Sequence, residues 1–466
     1  KDAGYRNQLM VMQASGGVMT KEYVEGSPIR VLASGPAGGV IGSAYAGVAK
    51  GHNNLLCVDM GGTSYDISMV LGGAAPAVAG WNIHHRYLVG VPMVQVETLG
   101  AGGGSICHVN QGEVEVGPAS AGSEPGPICY GRGGTRPTIT DALLMLGILS
   151  DTSEFAGGSF SLTREGVEEA FQAIGDEMGY SAEDAAFDCW RMVNANMSQG
   201  VRRISAGKGI DPADMCMLAY GGNGPAFAAI QAEDLGIDRV LVPKASPTFS
   251  ALGTLVADPT IDEERSYIVP ANRVDTAKLR GLWGELAERA QRYFTDAGFA
   301  ADQVTVKYQL NMRYPGQNWA LTFNVRVDEG LGDLSFVDGD IGVRGIEVFN
   351  KYHMEEYGHV REGEVPEIAG VRLATSVATA SPTVTHGFNA PVRLARVART
   401  RRANLGQGYQ EVDIIHGADL EPGHEVTGPA IIEETFTTIV VYPGWQAMVD
   451  DAGDYELVRV REQAAS

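Results

Sequence analysis

Two glycine pairs, each standing where an apolar run stops, constrain the fold of this chain more than any other feature of its sequence. Gly61-Gly62 follows Leu55-Leu56-Cys57-Val58-Asp59, and Gly221-Gly222 follows a run that ends at Tyr220. Glycine makes up 61 of the 466 residues, yet it shows no collagen-like period and gathers at tight turns such as Gly102-Gly103-Gly104. A residue without Cβ is needed where backbone turns sharply or comes close to a ligand or to another backbone. The first pattern is therefore a set of strands that end in glycine turns.

Around those turns the elements alternate. Residues 29–50 read as a turn feeding a helix, with Ser34 as cap and Pro36 in the first turn. Strands follow at 55–59, 65–71 and within 86–98, then a Gly/Pro-rich loop at 100–135. Helices are expected from Thr140 to Leu149, at 163–178 and at 182–206. Strands near 215–219 and 239–241 flank a helix at 225–235. A charged helix at 276–297 leads into a β-rich part with strands near 303–313, 318–327, 367–377 and 429–441 and a helix at 345–359. At 466 residues the chain exceeds one ordinary core, and the boundary is expected near 262–275. The fold class is α/β followed by a β-rich α+β C-terminal domain.

The octapeptide Asp59-Met60-Gly61-Gly62-Thr63-Ser64-Tyr65-Asp66 places an acid, two glycines, a hydroxyl and a second acid in one hairpin. Glycine N–H groups can meet phosphate oxygens unobstructed, and Thr63 can donate to them. Asp59 and Asp66 suit Mg²⁺, or Mn²⁺, held partly through water. An ordinary Gly-Gly hairpin with solvated acids is the alternative. Tyr220-Gly221-Gly222-Asn223-Gly224-Pro225 joins a strand to a helix, where backbone can approach a nucleotide at the positive end of the helix. Neither a Walker loop nor G-x-G-x-x-G is present, and a packing turn is the alternative here.

Composition excludes some function classes. A net charge of −22, relieved only by Arg399, Arg401 and Arg402, opposes nucleic-acid phosphates and anionic lipid. No run of 18 apolar residues suits a membrane span. The five cysteines (Cys57, Cys107, Cys129, Cys189, Cys216) form no C-x-x-C pair. Buried, reduced thiols of a cytoplasmic protein are expected rather than zinc or disulfides. The N-terminus has neither an initiator methionine nor a signal-peptide pattern, and it enters an apolar, Gly-rich stretch within twenty residues. Further chain upstream is the expectation.

Together the two glycine loops resemble the phosphate and adenosine loops of the actin, sugar-kinase and Hsp70-type (ribonuclease H-like) ATPase fold, whose two lobes clasp ATP. The resemblance narrows with Ser34-Gly-Pro-Ala-Gly-Gly39, Asp59-Met-Gly-Gly-Thr63, Gly100-Ala-Gly-Gly-Gly-Ser105 and Ser120-Ala-Gly-Ser-Glu-Pro-Gly-Pro127 with Cys129-Tyr-Gly131. It extends through Pro137-Thr-Ile-Thr-Asp141, Val193-Asn-Ala-Asn-Met197, Gly221-Gly-Asn-Gly-Pro225, Arg313-Tyr-Pro-Gly-Gln317 and Gly428-Pro-Ala-Ile-Ile-Glu433. These stand in the order of the hydantoinase A family, which includes ATP-binding parts of N-methylhydantoinases, 5-oxoprolinases, caprolactamase-like enzymes and acetone and acetophenone carboxylases. The resemblance implies that residues 1–50 end a first ATPase lobe, 51–265 form a second, and 266–466 a C-terminal domain. It implies ATP and Mg²⁺ as cofactors, phosphorylation of a carbonyl or enolate oxygen, and a hydantoinase B-type partner with further small subunits. Asp59 and Asp66 would be the catalytic and metal residues, and Gly61, Gly62, Thr63, Gly221, Gly222, Asn223 and Gly224 would hold the nucleotide.

Two departures stand out. Family members normally carry another Asp-x-Gly-Gly-Thr loop in the first lobe, and no second copy occurs here. Relatives often have Asp and His where this chain has Gln95 and Glu97, and His where Phe227 stands, positions expected near the ligand. These changes lean the expectation toward a ketone carboxylase, with a cyclic-amide hydrolase of the hydantoinase or oxoprolinase type, or an inactive scaffold subunit, as alternatives. Other candidates are weaker: Asp141 suits a helix cap as well as catalysis, and Asn194, Asn196, Lys208 and Lys244 are near loops or on a helix. His84-His85 point to opposite faces of a strand, His353 and His359 are six apart on a helix, and Arg313 and Gln317 read as scaffold.

Overall fold

The computed structural model describes residues 4, 8–78, 81–83, 87–152, 160–382 and 387–460. The chain forms two compact units, one from residues 1–32 with 256–381 and one from 33–255 with 382–466. This division in space departs from the expected 1–50, 51–265 and 266–466, and hydrogen bonding gives the reason. The Gln13 side-chain amide donates to the Thr260 carbonyl at 2.7 Å, and Val18 bridges to Pro259, so the first residues join the later segment. Residues 393–459 supply strands that extend a sheet begun by residues 55–60.

In the first unit a four-stranded antiparallel sheet runs in the order Thr260–Pro270, Glu367–Val377, Val304–Arg313, Leu321–Glu329. The helix Thr276–Asp296 begins at Asp275, whose carboxylate accepts from the N–H groups of Ala277 and Lys278. Its Leu279, Trp283, Leu286, Ala290 and Phe294 recur at helical spacing and are buried. Trp283 sets its ring edge-to-face on Tyr308 and donates to the Arg372 carbonyl at 3.2 Å, which satisfies a polar group that burial would otherwise leave unpaired.

The second unit carries nine strands in one mixed sheet. Its centre is β1 (Leu55–Met60), β2 (Tyr65–Val70), β3 (Val96–Leu99), β4 (Cys216–Tyr220) and β5 (Arg239–Val242). The order from one edge is β3-β2-β1-β4-β5, followed by Tyr455–Arg459, Trp445–Val449, His424–Thr427 and Arg393–Leu394. β1 and β4 are parallel and buried throughout apart from Asp59, in keeping with near-continuous apolar runs covered on both faces. On one face lies α1 (Ser34–Ala49), whose Gly39 abuts the Tyr220 hydroxyl and whose Gly47 abuts Leu55. On the other lie α2 (Ala182–Gly207), with Gly200 against Leu99 and Ile67, and α3 (Gly224–Leu235), whose Gln231 accepts from the Tyr65 hydroxyl at 2.6 Å.

The stretch 100–135, expected as loop, contains a hairpin, Ser105–Asn110 paired with Glu113–Ser120. Its turn places both Gln111 (φ 51°) and Gly112 (φ 82°) in the left-handed region. Such turns usually announce themselves as Asn-Gly, and glutamine at the first position hides the signal.

Candidate functional site

The register of the central sheet sets the site. Thr98, Asp66, Asp59 and Tyr220 stand side by side across β3, β2, β1 and β4, so their side chains leave the sheet on one face. That is the face covered by α1, against whose Gly39 the Tyr220 hydroxyl rests. Asp59 and Asp66 are directly opposite one another, an unfavourable position for two like charges. Neither forms an ion pair among the described residues, and Asp66 Oδ1 is buried with no hydrogen-bond partner there. Burial, and then the charge of Asp66, push the Asp59 carboxyl up to about 6. Burial also raises Asp66, opposed by the Thr98 hydroxyl.

Three glycine loops close over the end of these strands. Gly61–Ser64 turns β1 into β2, with the Gly61 N–H donating to the Ser64 carbonyl at 3.1 Å. In the second loop Asn223 donates from its backbone to the Met60 carbonyl at 3.0 Å and from its side chain to the Gly61 carbonyl at 3.2 Å. Gly221 (φ 83°) packs on Asp59 so closely that a Cβ would strike the carboxylate. The third loop went unassigned as a site in the sequence, although Gly102-Gly103-Gly104 signals it. Gly103 N–H donates to the Gly61 carbonyl at 3.0 Å and Gly104 N–H to the Gly62 carbonyl at 2.6 Å. A Cβ on Gly102 would stand 2.6 Å from the Gly62 carbonyl oxygen.

The remaining edges of the loops point outward. The N–H groups of Gly62 and Thr63 have no partner among the described residues, and both residues are exposed. A Cβ on Gly61, Gly62 or Gly222 would meet nothing within 4 Å, so these glycines border open space while their neighbours are fixed by backbone bonds. Helix α3 starts at Gly224, with Asn223 before it and no side chain capping its first turn. Beside Gly222 and Asn223 opens a cavity of 220 Å³, walled by Tyr130, Leu149, Phe160 and Leu162 and by the hydroxyl-bearing Thr140, Thr437 and Thr438. The proposed residues Asp59, Gly61, Gly62, Thr63, Asp66, Gly221, Gly222, Asn223 and Gly224 thus come to one edge of one sheet, at the carboxyl ends of β1 and β4, where open α/β sheets bind ligands.

The other candidates fall elsewhere. Asp141 is wholly buried and accepts from the N–H groups of Ile128, Cys129 and Thr138 and from the Thr138 hydroxyl. It is a capping and loop-holding residue whose neighbours Tyr130 and Thr140 line the cavity. Asn194 bonds back to the Trp190 carbonyl within its helix. Lys208 donates to Gln95 at 2.5 Å, and Lys244 lies 3.8 Å from Glu434. Glu97 pairs with Ile67 and so leaves the sheet on the face opposite the acids, while Phe227 is 1% exposed in the core. Gln95 is thus held by Lys208, the Glu97 side chain leaves the sheet away from the acids, and Phe227 is buried in the first turn of α3. In the first unit, Gln317 accepts from Tyr314 N and meets His353 Nε2 at 3.1 Å, and Arg313 pairs with Glu367. These are scaffold contacts. His84 and His85 lie outside the described residues. All five thiols are free and buried, no described helix is long and apolar enough to cross a membrane, and no cluster of three or more metal-ligating side chains occurs among the described residues.

A sequence profile of the hydantoinase/oxoprolinase family matches residues 1–263, and the profile of the hydantoinase/oxoprolinase C-terminal domain matches residues 271–462. The chain belongs to the hydantoinase/oxoprolinase family. It is 32% identical over 465 residues to caprolactamase subunit alpha of Pseudomonas jessenii, covering 98% of this chain and 66% of the relative. It is 30% identical to the acetone carboxylase beta subunit of Xanthobacter autotrophicus, covering 99% and 65%. The nucleotide-free structure of acetone carboxylase, from a study of ATP-dependent acetone carboxylation, superposes with a TM-score of 0.81 at 28% identity, covering 98% of this chain and 65% of that one. This hydantoinase/oxoprolinase chain thus spans just under two thirds of the length of those relatives. Its architecture is the family's mixed α/β arrangement, an ATPase-like N-terminal lobe with a β-rich C-terminal part. The family holds both ATP-dependent carboxylases and cyclic-amide hydrolases.

Proposed function

We propose that this chain is the nucleotide-binding part of an ATP-dependent enzyme that activates a carbonyl or enolate oxygen by phosphorylation. The observation that carries this reading is the buried Asp66 Oδ1 beside Asp59, without a partner among the described residues, under a glycine hairpin whose Gly62 and Thr63 N–H groups also lack one there. Two carboxylates, with no third side-chain ligand beside them among the described residues, suit Mg²⁺ or Mn²⁺, which keep water and phosphate oxygens in the rest of their shell. The cation would offset the burial and the like-charge repulsion that together raise Asp59, and bring with it the charge neutralisation that phosphoryl transfer requires. Gly62 and Thr63 N–H groups would hold the terminal phosphates, and the cavity beside Gly222 the nucleoside. The arrangement fits the second lobe of the actin and sugar-kinase type of ATPase fold.

Phosphorylation of oxygen precedes either carboxylation of a ketone or hydrolysis of a cyclic amide. The altered Gln95, Glu97 and Phe227 lean the reading toward carboxylation, and the 32% identity to a caprolactamase subunit favours keeping the cyclic amide as a second reading. The native assembly, which we expect to include a hydantoinase B-type subunit and further small subunits, is the material to test. ADP release should depend on either a small ketone with bicarbonate or a lactam or hydantoin, and Asp66→Asn should abolish it. ADP release that no carbonyl compound stimulates, or that survives Asp66→Asn, would overturn the reading.

A further inference from the structure

The cavity beside Gly222 is closed on one side by residues more than two hundred positions away. Phe436 and Thr437 occupy the turn between β6 (Ala430–Glu433) and β7 (Thr438–Val441). The Thr437 hydroxyl donates to the Gly222 carbonyl at 2.9 Å, pinning this turn to the second glycine loop. Thr437 and Thr438 are almost fully buried, whereas the Phe436 ring between β6 and Thr437 stays 61% exposed. No other ring packs on it among the described residues. Exposing a phenyl ring at a turn tip forgoes the stabilisation that burying it elsewhere would bring, and the turn points it at a cavity instead of at the core.

The rest of the cavity wall matches a flat, apolar guest. Tyr130 and Phe160 meet edge-to-face with centroids 5.1 Å apart, and the Arg132 guanidinium lies 5.3 Å from the Phe160 centroid. Hydroxyls of Thr140 and Thr438 give the cavity a few polar points among its rings. At 220 Å³ it has room for a heteroaromatic ring system, and the remainder of such a ligand would leave along Gly222 and Asn223 toward the Gly62 hairpin.

We propose that Phe436 is a stacking lid over this cavity, and that it covers the purine base of the bound nucleotide. The proposal rests on the nucleotide reading above. Base–aromatic stacking needs only a π-face and tolerates any base, so the lid supplies affinity, and a bicyclic base gains most from it. Because Phe436 is exposed, replacing it removes no core packing.

The test titrates the full-length protein in its native assembly with two probes, Mg-ADP and Mg-pyrophosphate. Phe436→Ala should weaken Mg-ADP about tenfold or more and leave Mg-pyrophosphate unchanged, while Phe436→Trp should bind both as the parent does. Unchanged Mg-ADP affinity in Phe436→Ala, with the parent binding both probes, would overturn the lid and leave the nucleotide reading standing. Equal losses for both probes would also overturn it, by making Phe436 a support of the loops. A parent protein that binds neither probe would remove the nucleotide reading, and the lid with it.

Discussion

Asp59 and Asp66 set two carboxylates opposite each other on neighbouring strands, with no cationic side chain paired to either among the described residues, and the consequences can be read in pH. The folded protein holds the Asp59 proton more tightly than the unfolded chain does, with a value near 6 against 3.8. Protonation therefore favours the folded state. The charge penalty is absent below about 4, grows as pH rises through 4 to 6, and is complete above 6. Its size is on the order of 3 kcal/mol at neutral pH. Asp59→Asn should raise the midpoint of thermal unfolding of the metal-free protein at pH 8 and flatten its dependence between pH 4 and 7. The same substitution should abolish stabilisation by Mg-ATP, and the parent should lose Mg-ATP affinity as pH falls below 6. A midpoint lowered by Asp59→Asn at pH 8 would show that the carboxylate is held by contacts rather than penalised by burial and by its neighbour.

The glycine loops differ in what each residue faces, and that difference separates folding from binding. Gly221 needs its left-handed backbone and lies against Asp59, so any side chain there disrupts the fold, whereas Gly62 and Gly222 face open space without positive φ. Gly62→Val and Gly222→Leu should leave the unfolding curve close to that of the parent. By calorimetry, Gly222→Leu should weaken ATP and ADP equally, since both carry the nucleoside, while Gly62→Val should weaken ATP more than ADP. A Gly222→Leu protein that loses ATP alone would reverse the two assignments. Both loops were legible in the sequence because each glycine pair directly follows an apolar run, although only Gly221 needs its positive φ. The third was not recognised as part of the site, because Gly102–Gly104 works through backbone bonds to the Gly61 and Gly62 carbonyls, a partnership that local sequence does not encode. Phe436 was illegible for the same reason: only the pairing of strands distant in sequence brings its turn to Gly222.

At the scale of the whole molecule, elements were largely foreseen and their grouping was not. Strands near 429–441 were expected, but nothing local says that residues 393–459 extend the sheet of residues 55–60, or that Gln13, Val18 and Arg30 bond to residues 258–262. Long-range strand pairing decides such membership, and apolar alternation reads alike in either sheet. The outcome is that one unit, built from 33–255 and 382–466, carries the acids, all three glycine loops and the aromatic cavity. The central claim is that a metal–nucleotide complex sits along that edge. The most direct test is a crystal structure of the native assembly grown with Mn²⁺ and a non-hydrolysable ATP analogue, using anomalous scattering to locate the metal. The account predicts an anomalous peak against the Asp59 and Asp66 carboxylates, phosphate density at the Gly62 and Thr63 N–H groups, and the base beside Gly222. A nucleotide bound elsewhere, or a peak remote from both carboxylates, would contradict it.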